Sequence, residues 1–211
     1  MRKLPRITKI MKILHPLMVL AGLLLVTGCG ASSPSVTYYL LSPMDYQTAS
    51  DRQSAVGTLV LGLGPIRLPA YLDRLQMVSR TGANRLKVDD FHRWAAPLPG
   101  EISRILAGDL EKLTGIQRYK IYPWAVQQRP DLAVELEIQA FEGQSDGSVI
   151  LNGFMVIYDL RHGEPKSRSR TFRITQEAVA GDYAAMVAAQ SRALGELSRQ
   201  IAGDILELIS K

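Results

Sequence analysis

From Asp131 to Gln176 the sequence carries a pattern that only a sheet can use. In Asp131–Phe141, Leu132, Val134, Leu136 and Ile138 take one side, and Glu135, Glu137 and Gln139 take the other. That two-residue period is the mark of a half-buried strand. Glu142–Gly147 reads as a turn. Ser148–Leu160 is apolar at both parities, which places it centrally in a sheet. Arg161–Pro165 turns again, and Lys166–Gln176 returns as a more polar, edge-like strand. A three-stranded meander of this kind has an apolar face and needs a cover. The chain supplies one directly afterwards. Asp182 is placed as the N-cap of a helix, in which Tyr183, Met186, Val187, Leu194, Leu197, Ile201, Ile205 and Leu208 recur at three- and four-residue steps. Arg192, Glu196, Arg199, Asp204 and Glu207 fill its other side. The stripe suits docking on the chain's own sheet better than a partner helix or a membrane surface. Gly195 and Gly203 lie inside this helix and each costs about 1 kcal/mol relative to alanine, an expense that close packing would offset.

The preceding residues add further strands and one more helix. Val36–Leu41 reads as a strand ending at Ser42-Pro43, and residues 44–57 form a polar loop. Thr58–Leu63 is a buried strand, followed by a proline-stiffened connector, Pro65–Arg74. Leu75–Arg80, Thr81–Asn84 and Arg85–Val88 give strand, turn and strand. Phe91-His92-Arg93-Trp94 is an aromatic and basic knot. Pro97 or Pro99 suits a helix start, Ile102, Ile105, Leu106, Leu110 and Leu113 keep helical spacing, and Gly115 is a stop. Arg118–Tyr122 is a short strand. The expectation is one mixed α+β (α/β) domain over residues 36–211. Its mixed sheet contains the meander and is covered by two main helices, near Leu98–Leu113 and Asp182–Ile209.

The N-terminus constrains where such a domain works. Arg2, Lys3, Arg6, Lys9 and Lys12 precede an apolar run, Ile13–Val26, that ends in small residues. This is the grammar of a secretory signal. Roughly 20 apolar residues are needed to span a bilayer, and Ile13–Val26 is shorter and interrupted by His15 and Pro16. Met11-Lys12 opens a more typical signal by itself, so the start is Met1 or Met11. Val26-Thr27-Gly28-Cys29 resembles the lipobox of bacterial lipoproteins, which implies cleavage before Cys29 and acylation of that cysteine. The expected divisions are a lipoprotein signal peptide over 1–28, a lipidated tether over 29–35 and a periplasmic domain over 36–211. Gly30–Ser35 has the composition of a flexible linker. Cys29 is the sole cysteine, so no disulfide is available and stability rests on the hydrophobic core.

Removing the signal changes the meaning of the charge. The formal +5 arises entirely within residues 1–28, which hold basic side chains and no acidic ones. The rest is neutral and lacks the basic footprint of a nucleic-acid reader. One basic cluster, Lys166, Arg168, Arg170 and Arg173, reads as a solvated strand face. Gly143-Gln144-Ser145-Asp146-Gly147 matches the G-x-S-x-G nucleophile elbow, but that motif needs a strand-to-helix turn, and these flanks are strands. A serine hydrolase would also need a histidine, and beyond the signal there are only His92 and His162. Gly62-x-Gly64 lacks the third glycine of a dinucleotide loop and meets Pro65 instead. No cluster at metal-ligand spacing is present, and Glu135 and Glu137 read as a solvated face. No catalytic, cofactor or metal site is expected.

Several segments together resemble the ABC-type transport auxiliary lipoproteins, the PqiC-like family of paraquat-inducible protein C. They are Tyr38-Tyr39-Leu40-Leu41, then Leu68-Pro69-Ala70-Tyr71-Leu72-Asp73-Arg74 with Gln76-Met77-Val78, then Arg93-Trp94-Ala95-Ala96-Pro97-Leu98, and Asp182-Tyr183-Ala184-Ala185-Met186-Val187. Leu75 departs from the pattern, where a proline is expected. The resemblance implies a non-enzymatic lipoprotein on the periplasmic face of the outer membrane. It would act as an adaptor for an MCE-type protein and its ABC transporter complex in lipid transport between the two membranes. Gly30, in place of the aspartate associated with inner-membrane retention, supports the outer membrane. The alternative is a stand-alone periplasmic lipid- or ligand-binding lipoprotein; homo-oligomerisation is left open. The expected contact residues are Tyr71 and Arg74, read as exposed, with Arg93 and Trp94, since hot spots are enriched in Trp, Tyr and Arg. Trp94 could instead fill the core.

Overall fold

A computed structural model of the chain describes residues 35–44, 58–161 and 164–210. The signal sequence, Cys29 and its tether up to residue 34, most of the 44–57 loop, and His162 lie outside the described residues. The elements run β1 (Thr37–Tyr39), β2 (Val60–Arg67), β3 (Gln76–Gly82), β4 (Arg85–Trp94), α1 (Leu98–Thr114), β5 (Arg118–Ile121), a 3₁₀ turn (Val126–Gln128), β6 (Leu132–Gly143), β7 (Ser148–Asp159), β8 (Lys166–Glu177) and α2 (Tyr183–Ile209).

All the strands join one mixed sheet whose hub is β6. One edge of β6 pairs antiparallel with β7 along nearly its whole length. Its other edge is shared. β2 runs parallel to the first half, from Leu61↔Leu132 to Arg67↔Glu137, and β3 meets the far end at Ser79↔Gly143. The sheet therefore forks, with β5 beyond β2 and with β4 and β1 beyond β3. On the other side, among the described residues, β8 pairs with β7 alone and closes the sheet as an edge strand.

A bulge in β6 decides which side chains enter the core. Leu132, Val134, Leu136 and Ile138 are buried on one face, as the alternation predicts. The pairing then shifts between Ile138 and Ala140, and one extra residue flips the parity of everything after it. Phe141, which the uninterrupted period would put on the polar face, is instead fully buried. Glu142 moves to the opposite face, and the strand continues to Gly143, so the turn is shorter than Glu142–Gly147. β7 also departs from expectation. Val149, Leu151, Met155 and Ile157 are buried, but the alternate residues are only half-covered, and Phe154 is 38% exposed. Both helices lie on one side of the sheet, so the second face of β7 has no helical cover. Gly153 pairs with Ile138 across the β6–β7 ladder; a Cβ there would stand 2.2 Å from the carbonyl oxygen of the preceding residue, Glu137.

The helices cover the core face. α1 starts after Pro97, with Pro99 in its first turn, where a missing N–H costs nothing. Gly115 ends it in the left-handed region at φ 78°. The Asp182 side chain caps α2 by accepting from the Ala185 N–H at 3.0 Å. Met186, Val187, Leu194, Leu197, Ile201 and Ile205 are buried against the sheet and α1. One polar contact crosses between the helices: the Ser198 hydroxyl donates to Asp109 Oδ2 at 2.9 Å, with both residues fully buried. Gly195 does pack closely, with a built Cβ 3.0 Å from Met44, but Gly203 has nothing within 4 Å. The compensation expected at both glycines holds at one.

Other boundaries moved because partner strands extend them. β2 runs through Pro65 to Arg67, beside β6, so the stiff connector is only residues 68–75. Gly62 is required there by packing rather than by a phosphate: a Cβ would lie 2.6 Å from Pro130 and 2.9 Å from Trp124. β4 continues past Val88 to Trp94, held by β1 and β3, so the aromatic-basic knot is the end of a strand.

Candidate functional site

The connector that carries two of the expected contact residues is fastened from below. Glu142 is buried, its side chain 1% exposed. Its Oε1 accepts from Arg80 Nε at 3.1 Å and Nη2 at 2.9 Å. Its Oε2 accepts from the Tyr71 hydroxyl at 3.0 Å and from the Phe141 N–H at 2.9 Å. Tyr71 OH also lies 3.2 Å from the Gln139 carbonyl. The β6 bulge that turns Glu142 outward thus presents a carboxylate, and Tyr71 and Arg80 close over it. Burial, and then the adjacent Glu142 carboxylate, push the Tyr71 phenol up to about 12, with Arg80 pulling the other way. Tyr71 is accordingly half-buried and packed on the core, not exposed as the sequence suggested. Its hydroxyl latches the connector to the sheet.

The other expected contacts fall into two groups. Asp73, Arg74 and Leu75 are exposed at the tip of the connector, which is held by Leu72 N–H to Pro69 O at 2.9 Å and Arg74 N–H to Leu72 O at 2.9 Å. Arg93 pairs in register with Gln76, is half-buried, and donates from Nε to the Asp90 carbonyl at 2.9 Å. The Trp94 N–H donates to Leu75 O at 2.7 Å, so the tip and the end of β4 form one ledge. The Trp94 side chain is 3% exposed and fills the core; it does not belong to that surface.

A second cluster, with no sequence signal of its own, surrounds Asp89. Its Oδ1 accepts from the Phe91 N–H, the His92 N–H and His92 Nδ1 at 2.9, 3.1 and 3.0 Å. Its Oδ2 accepts from the Tyr183 hydroxyl at 2.9 Å and lies 3.0 Å from Lys87 Nζ. Burial opposes the charge on Asp89, but the donors from His92, Lys87, Phe91 and Tyr183 outweigh it and hold the carboxyl well below the usual carboxylate range. His92 stacks between Tyr183, at 4.0 Å, and Tyr39, at 5.9 Å. The cluster ties β1, β4 and the start of α2 together. Next to it is a surface cleft of about 290 Å³, lined by Arg80, Lys87, Ser145, Val179, Tyr183 and Met186 among others. A second cleft of about 640 Å³ runs along α2 beside Tyr39, Met44, Val187 and Gly195.

The basic cluster on β8 is not simply solvated. Arg168 Nη1 reaches Asp204 at 3.0 Å and Glu207 at 2.6 Å, and Arg170 Nε lies 3.3 Å from Asp204. Arg170 also donates to Gln200 at 2.7 Å. Alternate residues of β8 thus face the acidic side of α2, which half-buries Arg168 and buries Asp204. Arg173 has the opposite parity and stays out of this network. The G-x-S-x-G residues form the β6–β7 hairpin turn, with Asp146 Oδ1 accepting from the Ser148 N–H and hydroxyl at 2.8 and 2.7 Å. Ser145 sits on that turn and not between a strand and a helix. Among the described residues, no group of three or more His, Cys, Asp or Glu could hold a metal ion, and no helix is long and apolar enough to cross a membrane.

Comparison with known proteins agrees with this geometry. No curated protein matches the chain. The crystal structure of an uncharacterised protein superposes with a TM-score of 0.64 at 19% identity, covering 81% of this chain and 99% of the other. A crystal structure of a protein from Xanthomonas campestris gives a TM-score of 0.64 at 20% identity, covering 81% and 95%. At those identities the likeness concerns the fold. The sequence itself is more specific, because residues 39–202 match one family model. The chain therefore belongs to the family described as the ABC-type transport auxiliary lipoprotein component.

Proposed function

We propose that this protein is a non-enzymatic, lipid-anchored adaptor at the periplasmic face of the outer membrane. It would hold an MCE-type protein, and through it the ABC transporter complex, for lipid transport between the membranes. The observation that carries the reading is the ledge of Arg74, Leu75 and Arg93. Its Arg74 and Leu75 are exposed and its Arg93 half-buried; it is charged and apolar at once, and stiffened by the connector's own hydrogen bonds and by the Tyr71–Glu142 latch. A surface already ordered before contact loses little entropy on docking, and arginine is enriched among binding hot spots. Membership of a transport auxiliary family supplies the context. The alternative, a stand-alone lipid or ligand carrier, fits less well, since both clefts are surface features above a filled core.

Anchoring rests on Cys29. A single acyl chain binds a membrane only marginally, whereas each buried CH₂ adds about 0.8 kcal/mol, so several chains hold nearly permanently. Arg74→Glu combined with Arg93→Glu, in a protein that still folds and stays in the membrane fraction, should abolish capture of the MCE-type partner from crosslinked membranes. Unchanged capture by that variant, with capture lost when the lipoprotein is deleted, would move the interface elsewhere. Cys29→Ser should leave the precursor uncut or release it from washed membranes.

A further inference from the structure

Beside the ledge, β1 presents an apolar face that no other described residue covers. Along residues 36–41 the chain alternates: Tyr39 packs on the core and Leu41 is buried, while Val36, Tyr38 and Leu40 are 37%, 60% and 51% exposed. Among the described residues β1 is an edge strand paired with β4 alone, in the register Thr37↔His92, Tyr38↔Arg93 and Tyr39↔Trp94. Tyr39 and Trp94 point inward, so Tyr38 and Arg93 point outward. Phe91, two residues before Arg93 on the same strand, is 44% exposed. One outward face thus carries two aromatic rings and two aliphatic side chains, with Arg93 and the exposed Asp90 at its border.

The position of this face in the chain says what covers it. Only Gly30–Ser35 separates Cys29 from Val36. Even fully extended, that leash lets Val36 stand no more than roughly 25 Å from the acylated cysteine. A domain of this size is about 40 Å across, so the leash is shorter than the body it holds. The start of β1 is therefore kept on the half of the body nearer the bilayer. Tyrosine is a side chain of the membrane interface, its ring apolar and its hydroxyl wet, and an arginine at the border can bury its stem while its head reaches the headgroups.

We infer that the outward face of β1 and β4, Val36, Tyr38, Leu40 and Phe91, docks on the lipid surface that holds the Cys29 anchor and fixes the orientation of the domain upon it. The inference rests on the lipid-anchored reading above. It makes the anchor and the strand one two-part membrane attachment, and it holds the neighbouring ledge close to the bilayer, where lipid would be handed over.

The test exploits the single cysteine. Once Cys29 is acylated its sulfur is blocked, so Tyr38→Cys, Leu40→Cys and Tyr119→Cys each give the mature lipoprotein one free thiol. Tyr119, in β5 at the far end of the forked sheet, is 49% exposed and serves as the control. Each full-length variant is labelled with an environment-sensitive fluorophore and reconstituted into phosphatidylethanolamine–phosphatidylglycerol vesicles. It is then quenched separately by nitroxide-bearing lipid and by aqueous iodide. Labels at 38 and 40 should be quenched by the lipid several-fold more than the label at 119, and shielded from iodide. The two reporters are independent, so a folding defect in one leaves the other. If labels at 38 and 40 are as open to iodide as the control while the protein floats with the vesicles, docking is refuted and the anchor stands. Shielding from both quenchers would give the face to a second copy or a protein partner and also refute the inference. Failure to float would overturn the anchor itself, and the docking with it.

Discussion

Arg80→Met offers a sharp test of the latch under the connector, because it leaves Glu142 buried without its counter-charge. In the native protein Arg80 makes two bonds to Glu142 Oε1, while Oε2 is held by Tyr71 and Phe141. Breaking a buried ion pair from one side costs about 3–5 kcal/mol. The Arg80 side chain is 30% exposed, so water can replace part of it, and about 2–3 kcal/mol is the better expectation. Glu142→Gln is milder, about 1 kcal/mol, because the amide oxygen still accepts from Phe141 and the arginine left behind can reach solvent. The double variant should recover part of the loss, with a coupling energy of about 1–2 kcal/mol. Urea unfolding followed by tryptophan fluorescence reads all three. Arg80→Met should lower the midpoint by roughly 1–2 M, given the usual dependence on denaturant. If Arg80→Met costs no more than Glu142→Gln, or if the two effects simply add, Glu142 is not held as a charged, buried group and the latch has been misread.

Gly203→Ala should stabilise α2 by about 1 kcal/mol, since nothing lies within 4 Å of a Cβ there. Gly195→Ala should show no such gain, and equal gains in thermal midpoint would refute the packing at Met44. Ile157→Asp buries an unpaired charge at a site 1% exposed and should cost several kcal/mol; a wild-type melting curve would contradict the placement of β7. Asp89 is held well below its ordinary carboxylate value, so it adds stability above the unfolded value of about 3.9 that is lost as pH falls through the folded value. Below about pH 4, Asp89→Asn should therefore lose stability less steeply than the wild type in acid-unfolding titrations, and parallel curves would rule this out.

What could be read from the sequence was local. Pro97 and Gly115 bracket α1 because their constraints act on their own residues, and the eight-residue stripe in α2 was visible because a helix repeats its face every few positions. The meander announced itself through period two. What was missed depends on residues far apart. Glu142 looked like a turn residue because the bulge at Gln139 carries no local mark and the residues that close over it, Tyr71 and Arg80, lie more than sixty positions away. β2 and β4 proved longer than their own composition suggested, since pairing with β6, and with β1 and β3, extends them. The basic residues on β8 gave no hint of their acidic partners on α2. Exposure at Tyr71 was misjudged for the same reason: an aromatic beside a proline turn looks free until its acceptor is known.

The fork at β6 also sets an order of events during synthesis. β2 and β3 come well before β6 in the chain, yet both complete their pairing on that one strand. Until residue 143 is available, the edges of β2 and β3 that β6 will cover stay open to wrong partners. The second half is different. β6, β7, β8 and α2 are consecutive neighbours and can assemble from contacts close in sequence, which form fastest. The chain must therefore carry two early strand clusters, β2 with β5 and β3 with β4 and β1, with one edge open until β6 gives them a place to land.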